Sequence, residues 1–524
     1  MHILKYRFMK KILFLSLLFA ITNANAQVKF DADFESGSIG KIVLIDSANI
    51  CVSDKNSIMH LSYDIESQFD PINPVDTAVA PSARWFYFRI TGAKNKFLYL
   101  NFKHTDPLRA VYSYDNETFT RFNESEAERS KVSKLFIRDT VYIAYFTPYT
   151  NAFLQSQIDK WETHKNVDSE IFGHSKNNRP MHLLTITDKN FDNANKRIVW
   201  MHARTHTSET PSSWHLDGMI NALLYSDAGN EYCKHFVFYI VPFANPDGVA
   251  EGLSRSNSTG VNQEINWNRD DNQTVVEVKN LKKKMSELTA NRPFDMMLNL
   301  HSQVANSATY WIHTAKSTTA KSLRNELLLA YFNMFDNSYL NPSELCFSTM
   351  ADRYPEGWFW NQFGEKTLAV TFETPYSFYG KRDITTWVDI HNLRDFGRAT
   401  LDAVAMYFNV SAPNRIIIDN PEMNKKGKWI TENSNDFVFL GNDYLQSNSA
   451  NVNLTYTHKN LAVGKYKIYR WEVSENSEEP SVNPNCWVLI DEYTHKKQPN
   501  FKFKLNSKSQ GEKFDAIMLV KDLD

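Results

Sequence analysis

His206 and Glu209 stand three residues apart in Ala203-Arg204-Thr205-His206-Thr207-Ser208-Glu209-Thr210-Pro211-Ser212-Ser213-Trp214. An imidazole nitrogen and a carboxylate at that spacing can converge on one cation while the backbone turns. With a third protein ligand they make the open, water-bearing set of a catalytic zinc site. An isolated HxxE is frequent by chance, so the pair points to a metal only in company. Leu298-Asn299-Leu300-His301-Ser302 offers that company, a nearly all-apolar run ending in His301, and so does Thr371-Phe372-Glu373-Thr374-Pro375, a second apolar run that ends in a carboxylate. A buried glutamate beside metal-activated water is suited to take its proton, because desolvation raises the carboxyl pKa while the cation keeps the water acidic. Between these runs lie an Asn245-Pro246-Asp247-Gly248 turn, Arg255, and the pair Asn268-Arg269. A guanidinium is always charged and can hold an oxyanion or grip a carboxylate with two parallel bonds. Taken singly, each residue also has a bland reading: a core histidine, a strand-end carboxylate, a solvated arginine.

The elements that must position these residues are legible in the hydrophobic pattern. Apolar runs at 197–201, 235–241, 294–300 and 366–372 alternate with amphipathic helical stretches at 212–225, 274–290, 319–335 and 385–408. Continuous apolar strands imply a sheet covered on both faces, an α/β/α layered domain whose ligands sit at strand C-termini. This expected catalytic domain spans 151–410. Before it, residues 27–150 alternate with period two, as in Arg84-Trp85-Phe86-Tyr87-Phe88-Arg89-Ile90, and predict a β-sandwich. After it, short runs such as Arg415-Ile416-Ile417-Ile418 and Cys486-Trp487-Val488-Leu489-Ile490 predict a second sandwich over 411–524.

In order along the chain, HxxE, NPDG, Arg, Asn-Arg, strand to His and strand to Glu, the sequence resembles the M14 zinc carboxypeptidases, most of all their cytosolic-carboxypeptidase-like branch. The similarity runs from about Phe34 to Phe408 and includes Tyr145-Phe146-Thr147-Pro148-Tyr149-Thr150 before the catalytic domain. It implies a carboxypeptidase-like fold with a mixed sheet and one Zn²⁺ per chain. By resemblance His206, Glu209 and His301 are the zinc ligands, Glu373 the general base, and Arg255 the residue that polarises the scissile carbonyl. Asn268 and Arg269 match the clamp on the substrate's terminal carboxylate, Tyr354 the mobile tyrosine, and Trp358 the position that shapes the side-chain pocket. An aromatic at 358 gives no salt bridge to a charged side chain, so the glutamate preference of eukaryotic relatives is not expected here. Thr207-Ser208 stand where the branch usually has Pro-Gly, a departure that removes no ligand.

The implied partners are peptide or protein C-termini, cell-wall peptides among them. Stretches around Ile416-Ile417-Ile418-Asp419-Asn420 and Gly441-Asn442-Asp443-Tyr444 resemble the carbohydrate-binding-like sandwich of golvesin and xanthan lyase relatives, which implies a polysaccharide partner for the C-terminal domain. Two alternatives stand beside the carboxypeptidase: a peptidoglycan amidase or deacylase using the same zinc site, and an inactive glycan- or surface-binding protein.

Composition narrows the classes further. The 524 residues, 42% hydrophobic and 23% charged, supply several cores and exclude a disordered or collagen-like chain. A net charge of -2 gives no overall attraction to nucleic acid. Lys10-Lys11 precede the apolar run 12–21, and Ala24-Asn25-Ala26 supplies a cleavage pattern, so residues 1–26 read as a signal peptide, with Met9 as an alternative start. That run is too short to span a bilayer and no later one is longer, so a soluble, secreted or periplasmic mature chain is expected. Cys51, Cys233, Cys346 and Cys486 form no CxxC and indicate neither a zinc knuckle nor a disulfide framework.

Overall fold

A computed structural model describes residues 27–522 except 54–55, 75–76, 271, 306, 337–339, 341–344, 378–385, 480–485 and 497–499. The expected signal peptide therefore lies outside the described residues. The chain divides into two compact units: one of residues up to Gln68 and Ala83–Tyr145, the other of Phe69–Ser82 and Phe146 onward.

The first unit is built from two five-stranded sheets. Strand Lys96–Lys103 alternates buried and more exposed positions residue by residue. The inward set includes Leu98, Leu100 and Phe102, and Phe102 stacks on Phe86 with ring centres 4.2 Å apart. This is the period-two pattern of the sequence turned into a sandwich core.

The second unit is organised by an eight-stranded mixed sheet. Its strands, numbered within this unit, are β1 (Val167–His174), β2 (Pro180–Ile186), β3 (Arg197–Ala203), β4 (Phe236–Val241), β5 (Met296–Gln303), β6 (Thr309–His313), β7 (Cys346–Ser348) and β8 (Leu368–Pro375). They lie in the order β1-β2-β4-β3-β5-β8-β6-β7. β3 pairs in parallel with β4 and β5, and β5 with β8, while β1, β2 and β6 join antiparallel. The unit is α/β with a mixed sheet, as expected. The four apolar runs became the four central strands because both faces are covered, and β5 is buried at seven of its eight positions. The flanking strands β1, β2, β6 and β7 escaped the sequence reading, since they lack the continuous apolar run that burial on both faces imposes.

Helices α1 (Asn151–Trp161), α2 (Thr210–Tyr225), α3 (Asp227–His235), α4 (Pro246–Ala250), α5 (Val276–Leu288), α6 (Ala320–Asp336), α7 (Pro355–Phe363) and α8 (Ile390–Tyr407) cover the sheet. Packing of α2 on α8 is close: a Cβ at Gly218 would lie 2.2 Å from the Arg394 carbonyl oxygen. Among the described residues no helix is long and apolar enough to cross a membrane.

The C-terminal strands gather round a core that includes Ile468, Phe501, Phe514 and Leu519. Three further aromatics of this region pack on α6: Phe332 lies 5.0 Å from Trp471 and stacks on Trp487, and the Arg324 guanidinium sits 4.3 Å above Phe439.

Candidate metal centre

The loop after β3 carries the first two expected ligands. Arg204 opens it in the left-handed region (φ 58°), held there by its buried guanidinium, which donates to the carbonyls of Thr207 and Tyr149 and to Ser213 Oγ. Glu209 is the N-cap residue of α2, and Pro211 in the first turn fixes the direction of the helix. His301 lies near the end of the buried stretch of β5, followed only by buried Ser302, and Glu373 is its direct neighbour in register on β8. Parallel strands of equal register put both side chains on one side of the sheet.

The structure brings the three proposed ligands together. One donor atom from each of His206, Glu209 and His301 lies within 4.8 Å of the others, and all three residues are buried. His206 Nδ1 is 2.9 Å from Glu209 Oε1, and His301 Nδ1 is 2.8 Å from Glu209 Oε2. The opposite ring nitrogens are occupied as well: His206 Nε2 is 3.0 Å from Asn262 Oδ1, and His301 Nε2 is 3.1 Å from Glu264 Oε2. These two oxygens accept, so each Nε2 carries a proton and donates it. In the neutral imidazole that leaves the Nδ1 lone pair facing the carboxylate of Glu209. Two lone pairs and a carboxylate converging on one point could hold a cation, and the donor set of two nitrogens and one oxygen suits zinc. With protons alone to reconcile them, the carboxylates of Glu264 and Glu209 hold the His301 imidazolium well above the ordinary histidine range.

Asn262 and Glu264 were not singled out from sequence. Glu264 is fixed in turn by Asn299, whose amide donates to it at 2.9 Å and to Glu356 at 3.1 Å. Ser302 contributes its N–H to Glu209 Oε2 at 3.0 Å.

Arg255 Nη1 is 3.6 Å from Glu209 Oε1. Burial, and next the negative charge of Glu209, push the Glu373 carboxyl up to about 7. One of its oxygens, Oε2, is buried without a hydrogen-bond partner. His206, His301, Arg255 and Glu373 line one cavity of about 320 Å³, together with Glu264, Glu356, Arg353 and Tyr354.

Three of the sequence expectations are corrected here. Asn268 and Arg269 do not line this cavity; both are exposed, and the Asn268 amide donates to Asp352 instead. The chain has already spent Asn262 and Glu264 on the histidines and then buries Trp267 against Trp358, which turns the next two residues toward solvent. Trp358 is the third: it packs into the hydrophobic cluster with Trp267 and Phe359 rather than shaping the cavity. Two residues earlier on α7, Glu356 faces the site, buried and bonded by Thr371 Oγ1 at 2.5 Å. Tyr354 does line the cavity, and its hydroxyl accepts from Arg353 at 3.1 Å.

The zinc carboxypeptidase family profile matches residues 155–356. Cytosolic carboxypeptidase 6 of Mus musculus is 28% identical over 267 residues, 45% of this chain and 46% of that protein. Cytosolic carboxypeptidase 3 of Bos taurus is 24% identical over 277 residues, 46% of this chain and 26% of that protein. The chain thus spans less than half the length of these two relatives. A metallo-carboxypeptidase from Burkholderia cenocepacia superposes with a TM-score of 0.60 at 20% identity, covering 72% of this chain and 98% of that one, and so shares the fold. The matched span contains both histidines and Glu209, and their donor set converges beside the C-terminal ends of central parallel strands, where open α/β sheets bind ligands. Over residues 155–356 this chain is similar to the zinc carboxypeptidase family.

Proposed function

We propose that the protein is a metallocarboxypeptidase that removes residues from the C-termini of peptides, with Glu373 as general base. One observation carries the reading: the Nδ1 atoms of His206 and His301 meet the Glu209 carboxylate in the cavity that also holds Glu373, the register neighbour of His301. Zinc held by these three residues supplies a Lewis acid that polarises a carbonyl and acidifies water.

The chain's own residues do the rest. Glu373, with a carboxyl near neutrality and an unpartnered oxygen, takes a proton from the attacking water and returns it to the leaving amine. Arg255 offers its N–H groups to the oxyanion that develops on the scissile carbonyl. Arg353, not Arg269, is the guanidinium available in the cavity for the terminal carboxylate, and Tyr354 braces it from below with its ring 4.9 Å away. Glu356 closes the cavity with a buried acid, which makes this a polar pocket rather than the aromatic one expected from Trp358. Export to the periplasm or beyond is part of the proposal and rests on the leader-like residues 9–26. No feature of the site favours the amidase or the inactive alternative.

The test is hydrolysis of a peptide library varied at its last residue, by zinc-loaded protein with a chelator control. Release of single C-terminal residues, abolished by the chelator and restored by zinc, supports the reading. Cleavage only of internal or amide-capped bonds counts against it.

A further inference from the structure

Arg255 sits in a stretch that is neither helix nor strand, yet its main chain is tied on two sides. On one side the ligand loop grips it: Thr207 Oγ1 donates to the Leu253 carbonyl, and Ser208 donates to the Ser254 carbonyl through both N (3.0 Å) and Oγ (2.8 Å). On the other side three successive N–H groups, of Ser254, Arg255 and Ser256, donate to a single carboxylate at 2.6, 2.8 and 2.9 Å. That carboxylate is Asp70, buried and some 185 positions away in the chain.

Asp70 belongs to Phe69–Ser82, a segment that interrupts the N-terminal sandwich in sequence but clusters with the catalytic unit. The Asp70 N–H donates to the Ser82 carbonyl at 2.8 Å and closes the segment's ends on each other. The carbonyls of Pro71 and Ile72 lie against Gly260 (φ 81°), where a Cβ would come within 2.6 Å of each oxygen. Gly260 is two residues before Asn262, the residue that holds His206. The segment therefore rests on both stretches that orient the site.

Building on the reading of Arg255 given above, we propose that Asp70 is a positioning residue for the reaction: by gathering the amides of 254–256 it sets where the Arg255 guanidinium stands relative to Glu209. Charge-assisted bonds from three consecutive amides fix a loop that has no secondary structure of its own. A displacement of about 1 Å at such a group costs on the order of a hundredfold in rate.

The experiment uses the zinc-loaded full chain carrying D70A, D70N, R255A and the double variant D70A/R255A. D70A is expected to lower kcat about tenfold to a hundredfold with KM changed less than about twofold and zinc content intact. In the R255A background the same change is expected to lower kcat by less than about twofold, because Asp70 acts through the arginine already removed. An equal further loss in that background, or an unaltered kcat in D70A, overturns the proposal. D70N keeps one acceptor oxygen and the shape of the site, so it serves if D70A does not fold, and an intermediate loss is expected. Amide hydrogen exchange gives a readout free of catalysis: exchange at 254–256 should quicken in D70N while strand β5 keeps its protection, and unchanged exchange at 254–256 overturns the clamp. Should the unaltered chain hydrolyse no peptide at all, the functional reading fails, and the exchange result still decides whether Asp70 holds the segment.

Discussion

Replacing Glu264 tests how the ligand histidines are oriented. Its Oε2 accepts from His301 Nε2 at 3.1 Å and its Oε1 from Asn299 at 2.9 Å, so both oxygens are in use. In Glu264→Gln one oxygen becomes an NH₂ group, which must face either the His301 N–H or the Asn299 NH₂, donor against donor. Turning the amide to spare His301 gives up the Asn299 bond; turning it the other way favours the imidazole tautomer that protonates Nδ1 and so masks the ligand atom. A lost partner of this kind weakens metal binding by roughly tenfold to a hundredfold, or about 1.4–2.7 kcal/mol. Glu264→Ala removes both bonds and should fall at the upper end. Zinc affinity is measured by competition with a chromophoric chelator at fixed pH, on protein shown by circular dichroism to be folded. If Glu264→Ala binds zinc as tightly as the unaltered chain, Glu264 does not orient His301 and the tautomer argument fails.

Glu373→Gln should retain zinc while kcat falls by roughly a thousandfold or more, since an amide cannot carry the proton; peptide hydrolysis with metal analysis checks both halves. Arg353→Ala should raise KM for peptides with a free C-terminus about tenfold to a hundredfold, as expected for a lost charge-assisted bond, whereas Arg269→Ala should leave KM within about twofold; the opposite order would restore the clamp expected from sequence. Among the C-terminal strands burial raises the Asp419 carboxyl to about 7 and lifts that of Asp515 well above the usual range, with Asp419 itself adding to the effect on Asp515. A folded-state pKa above the unfolded value of 3.8 gives stability that is complete at low pH and lost as pH rises toward the folded pKa. Asp515→Asn keeps an acceptor for the Leu440 N–H and cannot ionise, so it should raise the melting temperature more at pH 8 than at pH 4; a lower melting temperature than the unaltered chain at pH 8 would contradict this.

Legibility followed burial. The central strands and the residues at their ends, His301 and Glu373, could be read because burial on both faces imposes continuous apolar runs, and a polar residue ending such a run stands out. His206 and Glu209 could be read because both lie in one short loop. Asn262 and Glu264 carry no comparable signal: an asparagine and a glutamate in an irregular loop look like any solvated pair until the fold sets them on the outer nitrogens of the histidines. Asn268-Arg269 shows the converse, a dipeptide with the right chemistry that burial of Trp267 turns away from the site. Trp358 and Glu356 differ by two positions on one short helix, and its register against the sheet, set by buried Phe359, decides which faces the cavity. Asp70 lies beyond local reasoning altogether, since its three partners are nearly two hundred residues away.

X-ray absorption at the zinc edge on zinc-loaded protein tests the central claim most directly. The account predicts one zinc per chain with two imidazole nitrogens at about 2.0–2.1 Å and carboxylate or water oxygens completing the shell, and loss of one imidazole from that shell in His301→Ala. A shell with sulfur, a shell without imidazole, or one unchanged by His301→Ala would contradict it.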